Sequence, residues 1–261
     1  MEIIIAEDST VGAKIVGSAI ASLLGQKPHA VIGLATGSTP LPVYDDLVRR
    51  YQAGEVSFAD AKGFALDEYV GLRPDHPESY RAVLEREIVS RVNFGPGAVH
   101  SPDGWAADPQ AACDAYDESI AAAGGIDLQI LGVGTDGHIG FNEPTSSLSS
   151  PTRLKTLTDQ TREDNARFFD NDIEQVPRHV LTQGIGTIRQ ARHLVMLAWG
   201  ENKADAVAAT VEGPVTAMLP SSALQLHPRA TIIIDPPAAG KLQMEEYYRH
   251  IWDNKPDWQG I

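Results

Sequence analysis

Short apolar runs alternate with amphipathic stretches along this chain. Six of the runs read as strands, at residues 3–6, 31–35, 63–66, 128–133, 193–199 and 231–234. Between the first two, Val11, Ile15, Ala19, Leu23 and Leu24 recur at helical spacing, with Gly25 as a C-terminal stop. A second helix is expected to open near Pro40, whose fixed φ suits a first turn, and to run towards Gly54. A third is expected after Pro77. A fourth should follow Glu201 and carry Ala204, Val207, Ala208 and Val211. Strands that alternate with helices predict an α/β fold with a mainly parallel central sheet. The stretch 95–109, rich in Gly, Pro and Asp, reads as a surface loop. The polar, weakly periodic chain from residue 144 to about 177 is the best candidate for mobile structure, and a lid is placed at about 153–182. No repeat or low-complexity linker divides the chain, so residues 1–261 read as a single domain.

Composition narrows the partners. With 261 residues, 43% of them apolar, the chain can bury a substantial core. Its formal net charge of −14 repels a polyphosphate backbone, and no local basic patch offsets it, so nucleic acid is not expected as a partner. A small anionic ligand would need a site made locally positive by a few cations and backbone dipoles. The single cysteine, Cys113, excludes an intramolecular disulfide and a thiolate metal cluster. The opening run Met1-Glu2-Ile3-Ile4-Ile5 reads as a first strand, not a signal peptide. No segment has the apolar length of a membrane span, so a cytoplasmic protein is expected.

The unusual polar residues follow directly after the apolar runs. Thr36-Gly37-Ser38-Thr39 follows the second, Asp67-Glu68-Tyr69 the third, Gly134-Thr135-Asp136-Gly137-His138 the fourth and Glu201-Asn202-Lys203 the fifth. In an open parallel sheet the carboxyl ends of the strands share one edge, where ligands bind at a topological switch point, so these clusters are expected to converge. The Gly37-Ser38-Thr39 turn before Pro40 offers backbone N–H groups, a helix dipole and hydroxyls to an anion. An ordinary strand-to-helix turn is the alternative reading. Asp67 and Glu68 alternate, so one of them faces the crevice and could act as a base, and the pattern does not choose between them. His138, between Asp136 and Glu143, has carboxylates that can orient it and stabilise its cation, as a proton shuttle requires. Zinc binding and a structural turn histidine are the competing readings. The zinc spacing is wrong for the two-histidine helical motif. Lys203, Arg162 and Arg167 are the cations that could meet a phosphate.

Several long motifs in order then become recognisable: GLATGSTP from Gly33, LDEYVGL from Leu66, HPESY from His76, GVGTDGHIGFNEP from Gly132, RFFDND from Arg167, VPRHVLTQGIGTI from Val176 and LQLHP from Leu224. On these the chain resembles the glucosamine-6-phosphate deaminase family over essentially its whole length. The resemblance implies a modified Rossmann-like sandwich and the conversion of glucosamine 6-phosphate to fructose 6-phosphate and ammonia, with no cofactor and no metal. It implies Asp67 as the general base, His138 as the ring-opening group, and Asp136 and Glu143 as its carboxylate partners. Arg167 and Lys203 are implied as phosphate ligands beside Gly37, Ser38 and Thr39. Some members of the family carry an interface site for N-acetylglucosamine 6-phosphate. Ser146, Arg153, Lys155 and Thr156 match its residues, and Tyr247 is aligned with a tyrosine of the C-terminal segment. The tail from residue 240 diverges from the regulated members, and Pro214 with Met218-Leu219-Pro220 looks more like unregulated relatives. A homo-oligomer is part of that expectation. A 6-phosphogluconolactonase would share the fold and the phosphate turn but needs a water-activating site and leaves His138 between Asp136 and Glu143 unexplained, and a non-catalytic sugar-phosphate sensor would need the turn without Asp67 or His138.

Overall fold

Runs such as Ile3-Ile4-Ile5 and Ile232-Ile233-Ile234 have no polar face, which suits strands covered by helices on both sides. The computed structural model describes the backbone of residues 1–261 and the side chains other than that of Asp257. In it β1 (Glu2–Ile5) leads to α1 (Ser9–Gln26), β2 (Val31–Leu34) to α2 (Leu41–Gln52), and β3 (Lys62–Ala65) almost directly to β4 (Asp67–Tyr69), followed by α3 (Tyr80–Glu87). Next come β5 (Val99–His100), α4 (Pro109–Ala122), β6 (Leu128–Gly132), β7 (Arg153–Thr156), α5 (Asp159–Ala166), β8 (His179–Thr182) and α6 (Ile185–Ile188). The chain ends with β9 (Leu194–Ala198), α7 (Ala204–Glu212), β10 (Ala230–Ile234), α8 (Pro236–Ala239) and α9 (Glu245–Asp253).

Seven strands form one sheet in the order β1-β10-β9-β6-β2-β3-β5, and every adjacent pair is parallel. From β2 the chain continues outwards to β3. From β6 it eventually crosses the other way to β9, so the strand order reverses between β2 and β6. A crevice at their carboxyl ends is therefore dictated by topology. The six expected strands all belong to this sheet, each within a residue of its expected bounds. The main apolar core lies on its two faces.

Two features differ from the expectations, and the stretch expected as a lid carries strands of its own. Gly25 does not end α1. The helix runs to Gln26 and stops at Lys27, because Pro28 disfavours helical backbone in the residue before it. The loop expected at 95–109 contains β5, which extends the sheet beyond β3. The polar stretch expected as a lid is folded as well: β7 and β8 pair antiparallel with each other, and β8 pairs with β4, to form a second sheet. Its apolar positions are too few to show periodicity, because they bury only a small cluster of Tyr69, Phe141, Leu157, Phe169, Val176 and Val180. Between β7 and β8, α5 is tied down by Arg162. That guanidinium is buried and donates to the carbonyls of Ile173 at 2.6 Å and Val176 at 3.3 Å. Helix α9 packs on the edge strand β1. Among the described residues, no helix is long and apolar enough to cross a membrane.

The two strands that flank the crevice are fixed at their other end by Asp127. Its buried carboxylate accepts from the backbone N–H of Val31 at 2.9 Å and from Lys27 at 2.8 Å, with Arg192 at 3.2 Å. Asp127→Ala is expected to lower the unfolding free energy by about 2 kcal/mol, through loss of hydrogen bonds to a charged acceptor. Urea denaturation of the purified variant measures this.

Candidate active site

One cavity of about 740 Å³ opens at the carboxyl ends of β2, β3, β6 and β9. All four polar clusters reach it: Gly37, Ser38 and Thr39 after β2, Asp67 at the start of β4, Gly134 and His138 after β6, and Asn202 and Lys203 after β9. Helix α5 and the turn after it close the cavity from the second sheet with Thr161, Asp164, Asn165 and Arg167. The convergence follows from the parallel sheet. The α5 wall does not, because it belongs to the other sheet.

The turn after β2 is built for an anion. Gly37 has φ +87°, a conformation that side chains disfavour, and the turn delivers the chain into α2. Among the described residues, the backbone N–H groups of Gly37, Ser38 and Thr39 have no acceptor within the chain. The indole of Trp199 donates to the Thr39 carbonyl at 3.0 Å and pins the turn to the end of β9. Pro40 occupies the cap position, one residue before the helix proper. Across the cavity stand Arg167, whose guanidinium lies 4.7 Å from the centre of the Phe168 ring, and Lys203. Burial lowers the pKa of Lys203, Asp136 and Asp164 oppose that shift, and the nearby Arg167 adds to it. Two cations that repel each other, facing free N–H donors, favour a bound dianion between them.

Asp67 and Glu68 divide their roles by alternation. Glu68 points towards the start of α3 and accepts three backbone N–H groups, from Tyr69 at 2.8 Å, Tyr80 at 2.8 Å and Arg81 at 2.9 Å. It is a helix-capping residue. Asp67 points into the cavity, is only 5% exposed, and has no donor to its carboxylate among the described residues. Burial, and then the charge of Glu68, raise its pKa well above the ordinary value. The surrounding hydroxyls are engaged elsewhere: Tyr44 donates to the Ala35 carbonyl and Tyr116 to that of Ala65, each at 2.6 Å. Arg162 and Arg167 separate in the same way, the first bound to carbonyls and the second facing the cavity.

The turn after β6 sets His138 against two carboxylates that stand behind it. A Cβ on residue 134 would lie 2.3 Å from the imidazole, so only glycine lets the ring fold back over the turn. His138 Nδ1 is 2.7 Å from Asp136 Oδ1 and 3.7 Å from Glu143 Oε2. Neither oxygen lies along the N–H direction, so these close contacts are not hydrogen bonds. Burial pushes the Asp136 carboxyl up, but the His138 ring, Glu143 and the His138 backbone N–H outweigh it, and the net shift is downward. Glu143 moves up, through burial first and then the neighbouring Asp136. The ligand atoms of these three residues lie within 4.8 Å of one another, the one such grouping among the described residues that could hold a metal.

Ser146, Arg153, Lys155, Thr156 and Tyr247 do not line the cavity. Arg153, Lys155 and Thr156 lie on β7, where Arg153 donates to Asn142 at 2.8 Å. Ser146 is buried in the preceding loop, and Tyr247 is exposed on α9. Sequence reasoning missed Tyr80, Thr161, Asn165 and Trp199 as site residues. Thr161 and Asn165 carried a signal, since they lie four apart and so on one face of a helix. Tyr80 and Trp199 looked like ordinary core aromatics.

The family described as glucosamine-6-phosphate isomerases/6-phosphogluconolactonase matches residues 9–233. The chain is 62% identical, over all 261 residues and the full length of both chains, to a protein of Streptomyces avermitilis named glucosamine-6-phosphate deaminase. It is 60% identical over the same span to a protein of that name from Streptomyces coelicolor. A solved structure of a monomeric glucosamine-6-phosphate deaminase superposes with a TM-score of 0.90 at 38% identity, covering 92% of this chain and 100% of that one.

A buried carboxyl whose pKa is raised makes folding take up a proton between its unfolded value, near 3.8, and its folded value, so stability falls as pH rises through that window. Asp67→Asn removes this cost. The variant is expected to melt above the parent at about pH 8, and the gap should close as pH falls to about 4. Thermal midpoints across that range test it, and a gap independent of pH would show that Asp67 is not the titrating group.

Proposed function

The chain belongs to the glucosamine-6-phosphate isomerase/6-phosphogluconolactonase family, and on that premise we propose that it converts glucosamine 6-phosphate and water into fructose 6-phosphate and ammonia. Asp67 carries this reading. Moving hydrogen between two carbons needs a base strong enough to take a proton from carbon, and a buried, unpaired carboxylate is such a base. Lactone hydrolysis needs only an activated water. A sugar-phosphate sensor would gain nothing from the charge it buries at Asp67.

The phosphate is held by the N–H groups of Gly37, Ser38 and Thr39 and by Arg167 and Lys203. Its binding energy, far from the reacting carbons, is spent on orienting them. His138 takes the proton of the C1 hydroxyl and delivers one to the ring oxygen, which opens the pyranose. Asp136 and Glu143 stabilise the imidazolium formed on the way. In the open chain the C2 proton is acidic, because it lies beside the aldehyde and the ammonium. Asp67 removes it to leave an enolamine, then returns it to C1 to give an imine at C2. Water adds to that carbon, the C–N bond breaks and ammonia leaves, so the second half of the reaction is a hydrolysis. These steps use no metal or redox cofactor. The stretch 153–182, which carries α5 and Arg167 at its C-cap, is the part of the fold that opens to admit the sugar.

The decisive measurement is release of ammonia and fructose 6-phosphate from glucosamine 6-phosphate by purified protein with a chelator present. Equal amounts of both products are expected. Lactone hydrolysis without ammonia would favour the other activity of the family. Asp67→Asn should lose roughly 10²–10⁴-fold in turnover, the usual scale for an acid–base group, while still binding the phosphate.

Regulation is a separate part of the proposal. Ser146, Arg153, Lys155 and Thr156, together with Tyr247, would form a site for N-acetylglucosamine 6-phosphate at a subunit interface of a homo-oligomer. The compartment this substrate implies is the cytoplasm. Sigmoidal kinetics that the acetylated ligand makes hyperbolic are expected if that site operates. Hyperbolic kinetics indifferent to the ligand, in a protein that sediments as a monomer, would remove it.

A further inference from the structure

Glu143 is held from a direction that the mechanism above does not use. Its Oε1 accepts the hydroxyl of Thr161 at 2.7 Å, across from α5. Both residues are buried. The Thr161 hydroxyl oxygen in turn accepts from the hydroxyl of Thr158 at 2.9 Å, so the Thr161 proton is left to point at Glu143. Thr158 is itself fixed as the N-cap of α5, where its oxygen takes the backbone N–H of Thr161 at 3.1 Å. The chain of donors therefore runs one way, from the helix cap to the carboxylate.

The consequence falls on His138. With Oε1 occupied, only Oε2 of Glu143 is free to face the imidazole, and it stands 3.7 Å from Nδ1, beside the closer Asp136 oxygen. The Thr161 donor occupies Oε1 and so sets it apart from the Oε2 that stands near His138. We propose that Thr161 is a positioning residue for the reaction, a hydroxyl that fixes which oxygen of Glu143 meets His138 and holds the dyad in register with α5. This rests on the deaminase reading for the role of the dyad, but not for its geometry.

The groups that face Glu143 are His138 and Asp136 from its own loop and Thr161 from α5. Lys203, from the turn after β9, reaches Asp136 and Asp164 instead. A hydroxyl that donates to a carboxylate favours the ionised form, so its removal moves the carboxyl's titration to higher pH. The direction agrees with the Thr161 contact, which holds the Glu143 pKa down against burial.

Thr161→Val keeps the shape and removes the donor, and Thr161→Ser keeps the donor. The titration of Glu143, followed in substrate-free protein by carbon-13 NMR of labelled glutamate and assigned with Glu143→Gln, is expected to move to higher pH in Thr161→Val and to return in Thr161→Ser. The acid limb of kcat should move the same way. Turnover should fall about ten- to a hundred-fold, as expected for loss of a hydrogen bond to a charged group, with KM changed little. An unmoved titration in Thr161→Val, or an equal move in Thr161→Ser, would overturn the assignment. If the parent protein released no ammonia, the deaminase reading would fall on its own, and the NMR titration would still decide what Thr161 does to Glu143.

Discussion

A carboxylate buried without a partner is the feature around which the rest of the site is arranged. Asp67 enters the cavity at the start of β4, and the Tyr44 and Tyr116 hydroxyls near it are spent on backbone carbonyls. Tyr44 holds the end of β2, Tyr116 holds the end of β3, and Glu68 caps α3. Those attachments are strong because each satisfies a backbone group that burial would otherwise leave unpaired. The two tyrosine attachments leave Asp67 without those hydroxyls as donors, while burial and the charge of Glu68 raise its pKa. The stability lost there is recovered across the main core, where strands such as β9 and β10 are buried on both faces.

The second sheet solves a different problem. The carboxyl edge of a parallel sheet presents turns and helix starts but leaves one side of the crevice open to water. Strand β4 leaves β3 at that edge and pairs with β8, which recruits β7 and places α5 over the opening. The wall it makes rests on the small cluster of Tyr69, Phe141, Phe169 and Val180, far fewer apolar residues than the main core. Local stability scales with such burial, so less apolar packing holds this wall than holds the main sheet. Its polar links to the site, Thr161 to Glu143 and Asn165 to the Tyr69 hydroxyl at 3.0 Å, tie the position of α5 to the cavity wall beside His138 and Asp67.

Much of this was legible in the order of residues along the chain. Period and run length identified the main strands, because a strand buried on both faces must be apolar throughout. Polar clusters placed directly after those strands located the cavity, because parallel strands end on one edge. Glycines at 37 and 134 marked the turns, one through its backbone conformation and the other through the lack of room for a side chain. The family motifs then chose Asp67 over Glu68 and Arg167 over Arg162, choices that the residue pattern alone had left open.

Tertiary structure alone supplied the physical grounds for those choices. Glu68 and Arg162 are excluded from the cavity because each is bound to backbone groups of a neighbouring element, and such contacts leave no trace in local spacing. The second sheet was invisible because its strands, such as Asp67–Tyr69 and Arg153–Thr156, carry few apolar residues to show a pattern. Thr161 showed only a shared helix face with Asn165, and its contact with Glu143, eighteen residues earlier, was not legible because the position of α5 depends on that sheet. Sequence determined what had to be buried and where the strands would end. Which polar groups would then be left free was settled only when separate elements packed together and consumed the others.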